Sequence, residues 1–398
     1  MSLDLAEVVW QVGDMVTRLK SRRDERQKRL SEALSLLIEQ DGRLEDIKAK
    51  VARSRTTWLV AGLLGGLSRH YPLPDLPDEF TVFATDGSQI EMDRHRTPHC
   101  FMVNIGTVSL RYGSSPGAVL ASRPRLYYKE EDMVLTPPGM MGREQVIDGG
   151  LLGIKRGVEE CRGLAELASG LPVGSTALAL LDGTLILWGL EAYPDFVSHL
   201  LLEEGLLNAF DAMRRLEDGR RLALGSYISL PGSTEVVNVL RVALCPDEKP
   251  DCDHCPNCLN RACDAVAGLT DRELFTCLLG DGERSELFGS QSTVVGKYYG
   301  SHRIKFFYLG VGQEIARVEV PAWVADDGDL LGLAHTLVYD QCKRGHGYPV
   351  ALSEAHEQAV VNAADRESFW RLVESQMVSE HLSDYRSAKS RRKKTRWL

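Results

Sequence analysis

Twice in this chain an apolar run that reads as a buried strand stops on an aspartate followed by glycine and a hydroxyl residue: FTVFATDGS, with Asp86, and TALALLDGT, with Asp182. A strand that apolar must be covered on both faces, which calls for a sheet with helices packed against it. In such sheets ligands gather outside the carboxyl ends of the strands. An aspartate placed there, beside a glycine that allows a tight turn or a close backbone approach, is a candidate site residue. Asp-Gly is also a plain turn signal. Two of them at adjacent strand ends would make a hard-oxygen site suited to Mg²⁺ or Mn²⁺, with Ser88 and Thr184 expected to hold the carboxylates by local hydrogen bonds.

The rest of the pattern fits a sheet flanked by helices. Residues 3–55 read as helix. Leu5, Val8, Val9, Val12, Val16 and Leu19 make one apolar stripe, and Leu30, Leu37, Leu44 and Val51 then recur every seven residues, as in a helical hairpin or coiled coil. So narrow a stripe calls for a helical partner, within a hairpin or across a homodimer. Three prolines in YPLPDLPDEF mark a boundary near residue 75. Strand-forming segments follow from residue 80, a helix spans about 147–169, and strands and helices alternate to about 380. Strands in series followed by this alternation indicate an α/β fold with a mixed sheet. The expected organisation is a helical N-terminal segment, 1–75, an α/β domain, 76–380, with a Cys-rich insertion at 245–263, and a basic tail, 381–398.

A metal site of this kind wants a third carboxylate. The helix near 147–169 offers Glu159 and Glu160. With Leu151, Ile154, Val158, Cys161 and Ala165 as its buried face, Glu160 lies nearer the margin and is better placed to reach a strand end. Arg156 stands one turn before it, where an exposed i, i+4 pair would be unremarkable.

Taken in order, the D-G-S strand, the R-x-x-x-E helix, the D-G-[ST]-L strand and the late segment GYPVALSEAH resemble the NurA family of DNA end-processing nucleases, over about residues 80–370. The resemblance implies an RNase H-like fold and a Mn²⁺ or Mg²⁺ site of two aspartates and a glutamate, which by position are Asp86, Glu160 and Asp182. It also implies roles for a tyrosine and a histidine eight residues apart, matched here by Tyr348 and His356. The activity implied is that of a 5′–3′ exonuclease and single-strand endonuclease acting on DNA ends with a HerA-type hexameric ATPase, and the protein is expected to be a homodimer. The chemistry suits the residues, because phosphodiester hydrolysis needs an activated water and charge relief on both the attacking and leaving oxygens. His356 would orient the nucleophile or protonate the leaving group, and Tyr348 would contact a phosphate or stack on a base.

CPDEKPDCDHCPNCLNRAC places Cys245, Cys252, Cys255, Cys258 and Cys263 close together, a departure from the family pattern. Thiols so crowded among Asp, Pro and Asn cannot all be packing groups, and they suit Zn²⁺ or an iron–sulfur cluster in a structural clip. The nine cysteines do not form a disulfide framework, and the N-terminus lacks a secretory pattern. Together these lead to the expectation of a cytoplasmic protein. No run is long and apolar enough to suggest a membrane span. A net charge of −9 argues against a globally basic nucleic-acid binder, yet RSAKSRRKKTRWL carries seven basic residues and no acid. Two other readings share these features. One is an RNase H-fold phosphotransferase or ATPase, for which LGVGQE is a poor adenosine-binding motif. The other is a metal-clipped scaffold binding nucleic acid without catalysis.

Overall fold

A computed structural model of the chain describes residues 4–93, 98–137, 139, 143–216, 219–255 and 261–382. Cys258 and nearly all of the basic tail lie outside the described residues. The chain forms two compact units: residues 1–73, 229–292 and 305–317 make one, and residues 74–228, 293–304 and 318–398 the other.

The second unit contains all three carboxylates. Its sheet is built from β1 (Phe80–Ile90), β2 (Phe101–Tyr112), β3 (Gly117–Tyr127), β4 (Thr176–Asp182) and β5 (Arg221–Ile228). The first three form an antiparallel meander; β4 then pairs parallel with β1, and β5 parallel with β4, in the order β5-β4-β1-β2-β3. This is the mixed sheet expected of an RNase H-like fold. β4 is buried from Ala177 to Leu181, as its unbroken apolar run requires. Helices cover the sheet: α1 (Gly149–Ser169), α2 (Gly328–Arg344) and α3 (Val350–Ala359), with α4 (Ala363–Ser379) following. α1 buries Leu151, Leu152, Val158, Cys161, Leu164 and Ala168. The apolar stripe is therefore rotated slightly from the expected one, toward Leu164 and Ala168 and away from Ile154 and Ala165.

One expectation about β1 is corrected. The strand does not stop at Asp86. On one edge it pairs with β4 only as far as Thr85, opposite Leu181, while on the other it stays paired with β2 through Ile90, opposite Met102. Asp86 thus sits where the parallel partner ends, four residues before the strand does. Asp182 is the last residue of β4, and Gly183 beyond it has φ +80°, a true turn.

In the first unit the N-terminal region is helical at Leu5–Ser21, Arg23–Gln40 and Leu44–Arg53. Leu37 is fully buried, and Leu30, Leu44 and Val51 pack on the same core, with Val237, Leu240, Phe275 and Phe288. The seven-residue stripe therefore faces the unit's own core. Leu5–Ser21 differs: none of its residues is buried, and Val9, Trp10, Met15 and Leu19 are exposed. Asp271 is buried in this unit, where its carboxylate accepts hydrogen bonds from the backbone N–H groups of Val236 and Val237 and from the Tyr308 hydroxyl. It thereby satisfies the open amides at the start of the helix Glu235–Leu244.

Candidate active site

Asp86, Glu160, Asp182, Tyr348 and His356 come from β1, α1, β4, the α2–α3 turn and α3, and they meet at the carboxyl end of the parallel pair β1/β4. One oxygen of Asp86 accepts from the backbone N–H of Gly87 at 2.7 Å, and the other lies 2.8 Å from Nδ1 of His356. Glu160 accepts from Nε of Arg156 at 3.0 Å. Asp182 is hydrogen-bonded to the Tyr348 hydroxyl, and the Tyr348 ring stands edge-on to buried Tyr227 with 5.7 Å between centroids.

The electrostatics show that the three carboxylates share one space. Burial pushes the Glu160 carboxyl up to about 7; Arg156 opposes the rise, and the negative charges of Asp86 and Asp182 add to it. Asp182 opens to solvent, yet its surroundings strip away enough water to raise its pKa. The Tyr348 hydrogen bond counters that rise and Asp86 reinforces it. The Tyr348 hydroxyl is in turn raised by burial and then by the charge on Asp182. Glu159, the other carboxylate on α1, turns away to Lys155 and Arg162, at 3.5 and 3.2 Å. Glu160 is thus the one that faces the aspartates.

Close approach is what brings these groups together. A Cβ at Gly87 would run into Glu160 Oε1 and come within 2.9 Å of Arg156 Cγ, so the missing side chain is the space that Glu160 occupies. Thr85 Oγ1 donates to the Glu160 carbonyl at 2.9 Å, fixing that turn of α1 against β1. On the other side, Gly106 is the cross-strand partner of Asp86. A Cβ there would collide with the Ala355 carbonyl, so α3 can lie directly on β2 and carry His356 to Asp86. Asn104 Nδ2 and Ser88 Oγ both donate to the Ala359 carbonyl, at 2.8 and 2.5 Å, and so bind the end of α3 to the sheet.

The hydroxyls after the two glycines do not hold the aspartates as expected. Ser88 serves α3. Thr184 Oγ1 donates to the buried Glu319 at 2.8 Å, and Glu319 also accepts from the Leu185 N–H at 2.9 Å. These side chains hold the scaffold, not the ligand-facing groups. Gly106, Asn104 and Glu319 were not singled out from the sequence. A glycine and an asparagine inside the strand-forming run MVNIGTVSL are a signal for close backbone approach that could have found the first two. A cavity of about 620 Å³ opens at the opposite end of β1, lined by Phe80, Arg111 and Thr176, and none of these five residues lines it.

All six oxygens of the three carboxylates are hard donors, and their mutual repulsion is what a divalent cation would relieve. Among the described residues no three His, Cys, Asp or Glu side chains are already drawn to coordinating distance. Beside the carboxylates stand Arg156, on Glu160, and His356, on Asp86. In kind, though not in present spacing, these carboxylate oxygens are the donors a Mg²⁺- or Mn²⁺-type ion takes.

No curated protein matches the chain. The crystal structure of the NurA nuclease from Sulfolobus solfataricus superposes with a TM-score of 0.51 over 96% of this chain and 98% of that one, at 10% identity, a likeness of fold. The NurA domain profile matches residues 80–361, which includes β1 through α3 and every residue of the site. This protein belongs to the NurA family.

Proposed function

We propose that the protein is a metal-dependent deoxyribonuclease in which Asp86, Glu160 and Asp182 bind Mn²⁺ or Mg²⁺ and hydrolyse the phosphodiester backbone. The observation that carries this reading is the convergence of three carboxylates from three separate elements at one end of the sheet, where burial first, and then the charges of Asp86 and Asp182, lift Glu160 to about 7. Ions held there would supply charge relief at the attacking and leaving oxygens. His356 is 61% exposed, with Nδ1 on Asp86. Asp86 orients the ring, and the outward nitrogen is available to pass a proton to or from the substrate. Tyr348 fixes the Asp182 carboxylate, and Arg156 balances Glu160 until substrate and metal enter.

Beside α1, Arg123, Arg125, Arg162 and Tyr127 line a groove of about 440 Å³. Arg125 lies over the Tyr127 ring at 5.0 Å and Lys155 at 4.8 Å. Glu159 and Glu166 line it too, paired with Arg162 and Arg123, and Tyr127 is buried, so Arg125 is the groove's candidate contact for a phosphate backbone. On this reading the substrate is DNA ends, processed as a 5′–3′ exonuclease and single-strand endonuclease for break repair, with a HerA-type hexameric ATPase as partner, in a cytoplasmic homodimer. No helix among the described residues is long and apolar enough to cross a membrane. The exposed stripe of Leu5–Ser21 is the surface assigned to the second copy or the motor.

The deciding assay uses purified full-length protein on end-labelled single- and double-stranded DNA with Mn²⁺, with Mg²⁺ and with a chelator. Cleavage that requires the metal supports the reading; cleavage that persists in chelator, or none under any condition, removes it. Light scattering of the full chain and of a chain lacking residues 1–21 tests the dimer, and a pull-down with a HerA-type ATPase tests the motor contact.

A further inference from the structure

Apart from the exposed Cys277, the described cysteines fall into two kinds. Cys100, Cys161 and Cys342 are at most 2% exposed and belong to apolar cores. Cys245, Cys252, Cys255 and Cys263 are half-buried, none is in a disulfide, and all four line one small cavity in the first unit, together with Trp58 and Arg241. Packing does not explain four thiols turned toward a common space in a segment rich in Asp, Pro and Asn.

The backbone is arranged to present them. Cys245 ends the helix Glu235–Leu244, and its N–H bonds the Val242 carbonyl. The Cys252 N–H donates to the Arg55 carbonyl at 2.9 Å, and the Arg55 N–H to the Pro250 carbonyl at 2.8 Å, so the segment is paired with the chain just after the N-terminal helices. Lys50 Nζ donates to the carbonyls of Ala243 and Cys245 at 3.2 and 2.5 Å. Cys263 enters from the short turn Ala262–Val266. The cavity thus draws its thiols from separate backbone segments, as closed structural metal sites do. Arg241, stacked 4.2 Å over the Trp58 ring, and Arg261 line the same cavity and both pair with Asp264, while Asp247 and Asp251 line it too. Among the described residues no three ligands are yet at coordinating distance, and Cys258 is outside them.

We propose that Cys245, Cys252, Cys255 and Cys263 hold a structural metal centre through four thiolates, which fastens residues 245–263 to the chain at Lys50–Arg55. Bound there, the centre makes the register of the N-terminal helices on their unit depend on metal. Zn²⁺ binding there releases the thiol protons and involves no redox step, whereas an iron–sulfur cluster would also require inorganic sulfide.

The test does not rely on nuclease activity, so its failure is separable from that of the proposed function. Full-length protein, purified without chelator or immobilised-metal resin, is subjected to elemental analysis and visible spectroscopy, with one portion prepared anaerobically. About one zinc per chain without colour, or several irons with a broad visible band, both support the site and separate a single ion from a cluster. Cys252→Ser and Cys263→Ser should each lower metal content at least about fivefold, while Cys277→Ser, at an exposed thiol away from the cavity, should keep it. Because the serine variants could fail to fold, intact protein is also treated with an organomercurial while zinc release and proteolysis near residues 50–60 are followed. Release coupled to new cleavage supports the clip. Metal-free protein that takes up no added Zn²⁺ overturns the proposal, as does a segment whose thiols are found paired as disulfides.

Discussion

The two Asp-Gly pairs are nearly the same word in sequence and do opposite things in space. At Asp86-Gly87 the backbone stays extended within β1, and the glycine matters for what it leaves out, since Glu160 and Arg156 fill the volume a Cβ would take. At Asp182-Gly183 the backbone turns at φ +80°, nothing lies within 4 Å of where a Cβ would be, and the glycine matters for the conformation it permits. One glycine makes room for a third carboxylate; the other lets a strand end. Sequence pattern finds both and cannot tell them apart, because the difference lies in what packs against each.

The largest expected effect treats the pairs as equals. Asp86→Asn and Asp182→Asn should each reduce DNA cleavage by about 10³-fold or more, worth about 4 kcal/mol of transition-state stabilisation, with little change in melting temperature. Single-turnover cleavage with Mn²⁺ measures it. An Asp182 variant within tenfold of the parent would leave Asp86 and Glu160 as the site and break the symmetry.

Replacing the glycines should separate the pairs. Gly87→Ala pushes Glu160 and Arg156 aside, and overpacking of this kind costs about 1–3 kcal/mol. Cleavage should fall about 10²-fold because the third carboxylate is displaced. If Gly87→Ala is fully active, Glu160 does not need its present position.

Acidity gives a smaller effect with a definite sign. The folded protein holds a proton on Glu160 up to about pH 7, whereas the unfolded chain releases it near the ordinary glutamate value. Between those two values the native state binds more protons, so metal-free protein should lose stability as pH rises from about 4.5 through 7, by about 2–3 kcal/mol in all. Asp182, also raised, acts in the same direction. Chemical denaturation in chelator from pH 5 to 8 should show the fall, Glu160→Gln should flatten it, and saturating Mn²⁺ should oppose it. A flat profile in the parent would mean that Glu160 is better solvated than its neighbours indicate.

Smallest is Gly183→Ala, which should cost about 1 kcal/mol of stability for a left-handed backbone carrying a side chain, and less than tenfold in cleavage. A loss as large as that of Gly87→Ala would show that the turn also positions Asp182 finely.

The sequence carried a good part of this. β4 was legible because an unbroken apolar run has few places to go, and α1 because its stripe is long and periodic. The five residues from Asp86 to His356 were legible only as an ordered set of motifs. What escaped was whatever depends on a neighbour distant in the chain. The stripe Leu30–Val51 looked too narrow for burial because the helix Glu235–Leu244 and Phe288 that cover it lie some two hundred residues away. The serine and threonine after the glycines looked like local props, yet their partners are Ala359 and Glu319. Asp86 looked like a strand end because its parallel partner, and not the strand itself, stops there.

Gly106 has a consequence of another sort. It has no side chain, and α3 rests on β2 where one would be, with His356 riding on α3. The gap between histidine and aspartate is therefore set by the thickness of a spacer, which at this position is zero atoms. Alanine, serine and valine at 106 would form a graded series that lifts the helix stepwise while leaving every charge in place. Such a series would act as a ruler, measuring how far the proton-carrying group can retreat before hydrolysis fails.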